Sequence, residues 1–236
     1  MRLGEFFGEL DGYPQLKNPF TDHPNLFELA AIHGGVADEW HTDLTFLPEP
    51  ALMSVLQMKR CPDIGGDTLW ASLFAAYDAL PAPIKELCDG LSALHDAEPH
   101  GQPEKTAIHP VVRVPPETGR KALYLSAYFT RRIVELNTQE SEVLLAHLVR
   151  WVAQPRFMLR HRWAEGTVAM WDNPATQHFV VNDFEGEGVV QRVTVMGDKP
   201  HGATPRWEPA LPGRLSAVSR HYRKLANLLR HRPEDD

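Results

Sequence analysis

The chain has 236 residues, with 24 Lys+Arg against 31 Asp+Glu and a formal net charge of −7. That length is enough to bury a substantial core, and 43% apolar with 23% charged residues excludes the disordered and fibrous classes. The negative balance argues against nucleic acid as the main partner. Two cysteines, Cys61 and Cys88, are too few for a disulfide scaffold and lack C-x-x-C metal spacing.

The opening segment MRLGEFFGEL carries Glu5 and Glu9 and has no signal-peptide core, and no apolar run reaches the length of a membrane span. A cytoplasmic protein without membrane contact is expected. Period-two or β-branched runs predict strands over 51–58, 109–114, 122–126, 157–163, 167–171 and 189–196. Helices are expected over 71–80 and 84–94, after turn or proline signals. A third helix, over 139–152, is opened by the capping box Asn137-x-x-Glu140. Strands outnumber helices and do not alternate strictly with them. The expected fold class is therefore mostly β, an antiparallel sandwich or barrel with helices packed outside.

Residues 1–213 read as one domain and 214–236 as a basic tail. Within the tail Arg214, Arg220, Arg223, Lys224, Arg230 and Arg232 face no acid up to position 232. Leu215, Val218, Tyr222, Leu225 and Leu229 form a helical stripe. Docking on its own domain is the first expectation for that helix, and a contact in a homo-oligomer is the second.

The segment with most chemical content is Trp40-His41-Thr42-Asp43. On a strand, residues two apart point the same way, so His41 and Asp43 would converge. Far downstream, WDNPATQHFVVNDF supplies His178. Two histidines and one carboxylate on one face of a metal are the donor set of non-haem Fe(II) oxygenases, which leaves positions open for substrate chemistry. A zinc hydrolase could use similar ligands, but its helical H-E-x-x-H spacing is absent. His95 and His109 are expected to be structural. Arg131-Arg132 is expected to be a solvated or phosphate-screening pair rather than a site, and the two cysteines small core residues.

These blocks carry a resemblance. FGEL (7–10), WHTDLTF (40–46), GGDTLWAS (65–72), HPVVR (109–113), LYLSAYFTRRI (123–133), WDNPATQHFVVNDF (171–184) and QRVTVMGDKP (191–200) occur in one order over most of the chain. In these the chain resembles the taurine dioxygenase/TfdA family of Fe(II)- and 2-oxoglutarate-dependent dioxygenases. The resemblance implies a double-stranded β-helix (jelly-roll, cupin-like) core. It implies His41, Asp43 and His178 as iron ligands and 2-oxoglutarate and O2 as co-substrates, with Thr68 and Arg192 at the co-substrate. Tyr13, Leu44 (through its backbone N–H), Phe129 and Arg192 would face the substrate. The implied reaction hydroxylates a small anionic substrate, an alkyl sulfonate or sulfate ester, and releases sulfite or sulfate with an aldehyde, alongside succinate and CO2.

The sequence departs from the family at three places. The family places two arginines four apart on the strand after the distal histidine; the second is Arg192, and the first position holds Gly188. Tyr13, Leu16 and Ala37 replace polar residues that the taurine enzymes use, and 98–106 is short for a lid over the site. The chain also looks like an N-terminally short member, with the first part of the family fold missing. Gly188 and the short N-terminus leave a second reading open, a non-catalytic jelly-roll relative acting as a binding or assembly module.

Overall fold

The computed structural model describes residues 2–12, 23–30 and 37–210; Tyr13, Leu16 and the basic tail expected from 214 lie outside the described residues. In chain order come α1 (Arg2–Glu5), β1 (Phe27–Ala30), β2 (Ala51–Arg60), β3 (Thr68–Ser72), α2 (Leu73–Asp78), α3 (Ala82–Cys88) and β4 (Ser92–Ala97). Then follow β5 (Gln102–Pro110), β6 (Val112–Arg113), β7 (Ala122–Leu123), β8 (Thr130–Ile133) and α4 (Thr138–Val152). The last four are β9 (Met158–His161), β10 (Val168–Asp172), β11 (Thr176–Val180) and β12 (Val189–Met196).

The strands form a four-stranded antiparallel sheet in the order β1-β12-β2-β10 and a three-stranded sheet β11-β3-β9. A further sheet runs β5-β4-β8, and β6 pairs with β7. Short tight turns carry the chain between sheets. After β10, the one-turn segment Asn173–Ala175 redirects the backbone into β11, which belongs to the second sheet. The architecture is the jelly-roll core, mostly β with helices outside.

The helices close the ends of the sheets. The capping box is present at α4: the Asn137 side chain accepts from the Glu140 N–H at 3.0 Å, and Glu140 Oε2 accepts from the Asn137 N–H at 3.2 Å. Its buried residues Leu148 and Val152 join Leu73, Tyr77 and Leu123 in the main apolar core. A smaller cluster of Leu44, Phe46, Ala51, Ala97 and Phe129 lies apart from it. No helix among the described residues is long and apolar enough to cross a membrane.

Several expectations need correction. The helix expected over 84–94 stops at Cys88, and Gly90 just beyond it packs closely against Arg206 and Trp207. The following SALHDA then alternates as strand β4, burying Ala93, His95 and Ala97. The segment 98–106, short for a lid, is the turn of a hairpin and the start of its second strand, with Asp96 opposite Thr106. Arg131 and Arg132 are not a solvated pair. Arg131 Nε donates to Asp96 at 2.5 Å, and Arg132 Nη2 donates to the carbonyls of Val134, Leu136 and Ala210. Cys88 is fully buried, and burial pushes its thiol up to about 12; Cys61 is only half-buried.

Candidate metal centre and adjoining cavity

His41 reaches the centre through a bridge, not a full strand. Its backbone exchanges both hydrogen bonds with His178 of β11, N to O at 3.1 Å and O to N at 2.8 Å. The Thr42 hydroxyl adds a bond to the Thr176 carbonyl at 2.8 Å, tying the same two segments together. The chain then turns, with Leu44 in the left-handed region at φ 58°, an uncommon conformation for a bulky residue. Asp43 lies between the bridge and this turn, two residues from His41.

All three side chains are buried, and one donor atom from each lies within 4.8 Å of the others, so His41, Asp43 and His178 could hold a metal ion. The Nε2 atoms of His41 and His178 stand 3.7 Å and 3.9 Å from Asp43 Oδ1. His41 Nδ1 faces the Glu39 carbonyl at 2.7 Å. A carbonyl only accepts, so Nδ1 carries the hydrogen and Nε2 keeps its lone pair for the centre.

Electrostatics give the donors the protonation states that a metal needs. Burial lowers the pKa of His41 against the pull of Asp43, and lowers that of His178 further with help from His41. Both imidazoles are therefore neutral. Burial alone would raise Asp43, but Arg192, the two histidines and the Ser54 hydroxyl hold it well below the usual carboxylate range. Arg192 Nη1 donates to Asp43 Oδ1 at 3.0 Å and Ser54 Oγ donates to Oδ2 at 2.7 Å. Two neutral imidazoles and one carboxylate fit a divalent first-row metal such as iron.

Sequence reasoning missed the support beneath this centre. Ser54 on β2 accepts from Asn173 Nδ2 at 3.1 Å, and Asn173 Oδ1 accepts from Trp171 Nε1 at 3.1 Å and from the Asp43 N–H at 3.4 Å. Asn173 lies within the block 171–184, where Trp171, Asp172 and Asn173 read as a tight turn that positions His178, whereas nothing in the pattern of β2 marks Ser54. His95 and His109 are structural, as expected. His95 Nδ1 faces the Thr45 hydroxyl at 3.0 Å, and His109 Nε2 donates to the carbonyls of Thr45 and Leu47, bracing the turn after Asp43.

The centre has two unlike sides. On the His41 side stands an aromatic wall. Phe129 and Tyr128 lie 6.3 Å and 5.6 Å from the His41 ring, and His100 lies 5.5 Å from Phe129, with Leu44 in the cluster beneath. His100 and Tyr128 were not anticipated; burial, His41 and Arg192 together lower the pKa of His100. On the His178 side lies a cavity of about 110 Å³, lined by Thr68, Trp163, Gly188, Val190 and Arg192 among others. Thr68 Oγ1 accepts from Trp163 Nε1 at 2.8 Å and keeps its own proton to donate into the cavity. Arg192 thus sits between carboxylate and cavity, and Tyr13 is outside the described residues.

Comparisons with known proteins agree with this geometry. The model of the family described as Taurine catabolism dioxygenase TauD, TfdA family matches residues 1–195. An alkylsulfatase of Acinetobacter baylyi is 35% identical over 95% of this chain and 78% of its own length. An alpha-ketoglutarate-dependent sulfate ester dioxygenase of Pseudomonas putida is 35% identical over 89% of this chain and 77% of its own. The crystal structure of a taurine dioxygenase from Burkholderia xenovorans superposes with a TM-score of 0.75 at 34% identity, covering 90% of this chain and 76% of that one.

Proposed function

The chain belongs to the TauD/TfdA dioxygenase family, and from that premise we propose that it is a non-haem Fe(II)- and 2-oxoglutarate-dependent dioxygenase acting on a small anionic sulfate ester or sulfonate. The observation that carries the reading is the buried His41, Asp43 and His178 set with its donor atoms within 4.8 Å. A chain free to lose its chemistry has no reason to keep three buried polar ligands and the Ser54–Asn173 network that orients one of them.

Bound Fe(II) supplies oxidative decarboxylation of 2-oxoglutarate by O2, coupled to replacement of a substrate C–H by C–OH. For a sulfate ester the hydroxyl lands on the carbon bearing the ester oxygen. The adduct then loses sulfate and a proton to leave an aldehyde, with succinate and CO2 as the other products. A sulfonate hydroxylated beside sulfur loses sulfite in the same way.

The chain's own residues prepare that site. His41 is oriented by the Glu39 carbonyl, and Asp43 is aimed by Ser54. Arg192 neutralises Asp43 and borders the cavity, where its guanidinium would be placed to grip an anion. Phe129, Tyr128 and His100 wall the opposite side and exclude water from the reacting carbon. Thr68 donates toward the carboxylate of the co-substrate.

The test is product release from a panel of alkyl sulfates and alkyl sulfonates. Sulfate or sulfite should appear together with succinate, and only when Fe(II), 2-oxoglutarate and O2 are all present. Succinate formation that no member of the panel stimulates contradicts the substrate class.

A further inference from the structure

The cavity beside His178 has an unusual charge distribution for a site that holds a dicarboxylate. Among the described residues lining it, Arg192 alone carries a formal positive charge, and Arg192 lies at the metal end, bonded to Asp43. Leu56 lies opposite Arg192, and further along the lining includes Met58, Pro62, Phe184, Gly188 and Val190. The polar atoms facing this space are neutral: the Thr68 hydroxyl and the buried Trp70 Nε1, which has no hydrogen-bond partner.

The surroundings deepen the deficit. Arg60 pairs with Glu187, next to Gly188, and Arg160 Nε donates to Asp67 at 2.6 Å, next to Thr68. Asp183 accepts from the Gly66 N–H at 3.0 Å, directly beside the lining. The charges that border this part of the lining are thus engaged with one another, and neither arginine is among the lining residues. Stripping a carboxylate of water without a cation to receive it is unfavourable, whereas an apolar tail gains from the same surroundings.

We infer that the co-substrate cavity, lined by Leu56, Met58, Gly188 and Val190 and reached past Arg192, takes 2-oxo acids with an uncharged tail at least as readily as 2-oxoglutarate. This rests on the 2-oxo-acid-dependent reading above. The 2-oxo and C1 carboxylate end is held at the metal side in every case, and the tail pocket does not select for a second charge.

The experiment is anaerobic titration of the Fe(II)-loaded protein with 2-oxoglutarate and with 2-oxopentanoate, which has a methyl group in place of the distal carboxylate. Binding is read by calorimetry and by the visible charge-transfer absorbance of the bound 2-oxo acid. The expected result is that 2-oxopentanoate binds at least as tightly as 2-oxoglutarate. In Gly188→Arg the order should reverse, with 2-oxoglutarate tightened by about ten-fold or more, the scale of a charge-assisted contact. The wild-type comparison stands alone should that variant fail to fold. Tighter wild-type binding of 2-oxoglutarate overturns the inference. If the Fe(II)-loaded protein binds neither acid, the 2-oxo-acid reading itself falls, a result distinct from a wrong preference.

Discussion

Asp43 is the residue on which the centre turns. A carboxylate 4% exposed persists as an anion only with compensation, and here it has Arg192 on one oxygen and Ser54 on the other. Ser54 is itself held by Asn173, so the carboxylate has one preferred aim. Ser54→Ala should weaken Fe(II) binding by about 10- to 100-fold, the usual cost of removing such an orienting contact. Calorimetry on the apo protein measures this directly, and unchanged affinity would show that Ser54 does no orienting.

The buried histidines set a second expectation at the same scale. Burial drives His95 well below its ordinary value and His109 down to about 4. Each is neutral when folded but takes up a proton in the unfolded chain below about pH 6.5. The unfolded state then binds more protons, so stability is full above pH 6.5 and falls on acidification from there toward pH 4. The slope reaches about 1.4 kcal/mol per pH unit for each such histidine. Denaturant midpoints between pH 7.5 and 4.5 check it; a midpoint flat across that window contradicts the assignment.

At the level of elements, local chemistry and tertiary context share the outcome unevenly. The capping box fixes the start of α4 from sequence alone, because both reciprocal bonds are specified by residues three apart. Asn137→Ala should cost about 1 kcal/mol, lowering the melting temperature by about 2–4 °C in a domain of this size. Thermal unfolding of the variant reports the shift, and an unaltered temperature would place the cap outside the cooperative unit. By contrast, the hairpin of β4 and β5 was legible only at its far end, where a strand was expected over 109–114; β4 was expected to be helical to 94 and 98–106 to be a stretch short for a lid. Its turn holds no unambiguous hairpin dipeptide, and what decides it is burial of alternate residues against β8 and the Thr45–Leu47 turn. Strand β12, with its β-branched run, begins and ends where its pattern predicts.

Over the whole molecule, the jelly roll brings together residues that the sequence keeps far apart. His41 and Asp43 precede β2, His178 lies on β11, and the bridge between His41 and His178 is what makes them neighbours. The identities of the three donors were legible because their blocks are distinctive. Much of their support was not, since Ser54 meets the site only through sheet pairing and Trp163, Tyr128 and His100 only through tertiary contacts. The replacement at Gly188 was legible as a missing charge, but its meaning required the cavity. There Gly188 lines an apolar stretch just before β12, and the neighbouring cation, Arg60, is paired with Glu187.

The central claim is that His41, Asp43 and His178 together hold one Fe(II). Anaerobic calorimetric titration of Fe(II) into the wild-type protein and into Asp43→Ala, with circular dichroism to show that the variant is folded, tests it most directly. One equivalent bound by the wild type and none by the folded variant is the predicted result. Equal stoichiometry and affinity in the two proteins would contradict it, because the metal would then lie elsewhere.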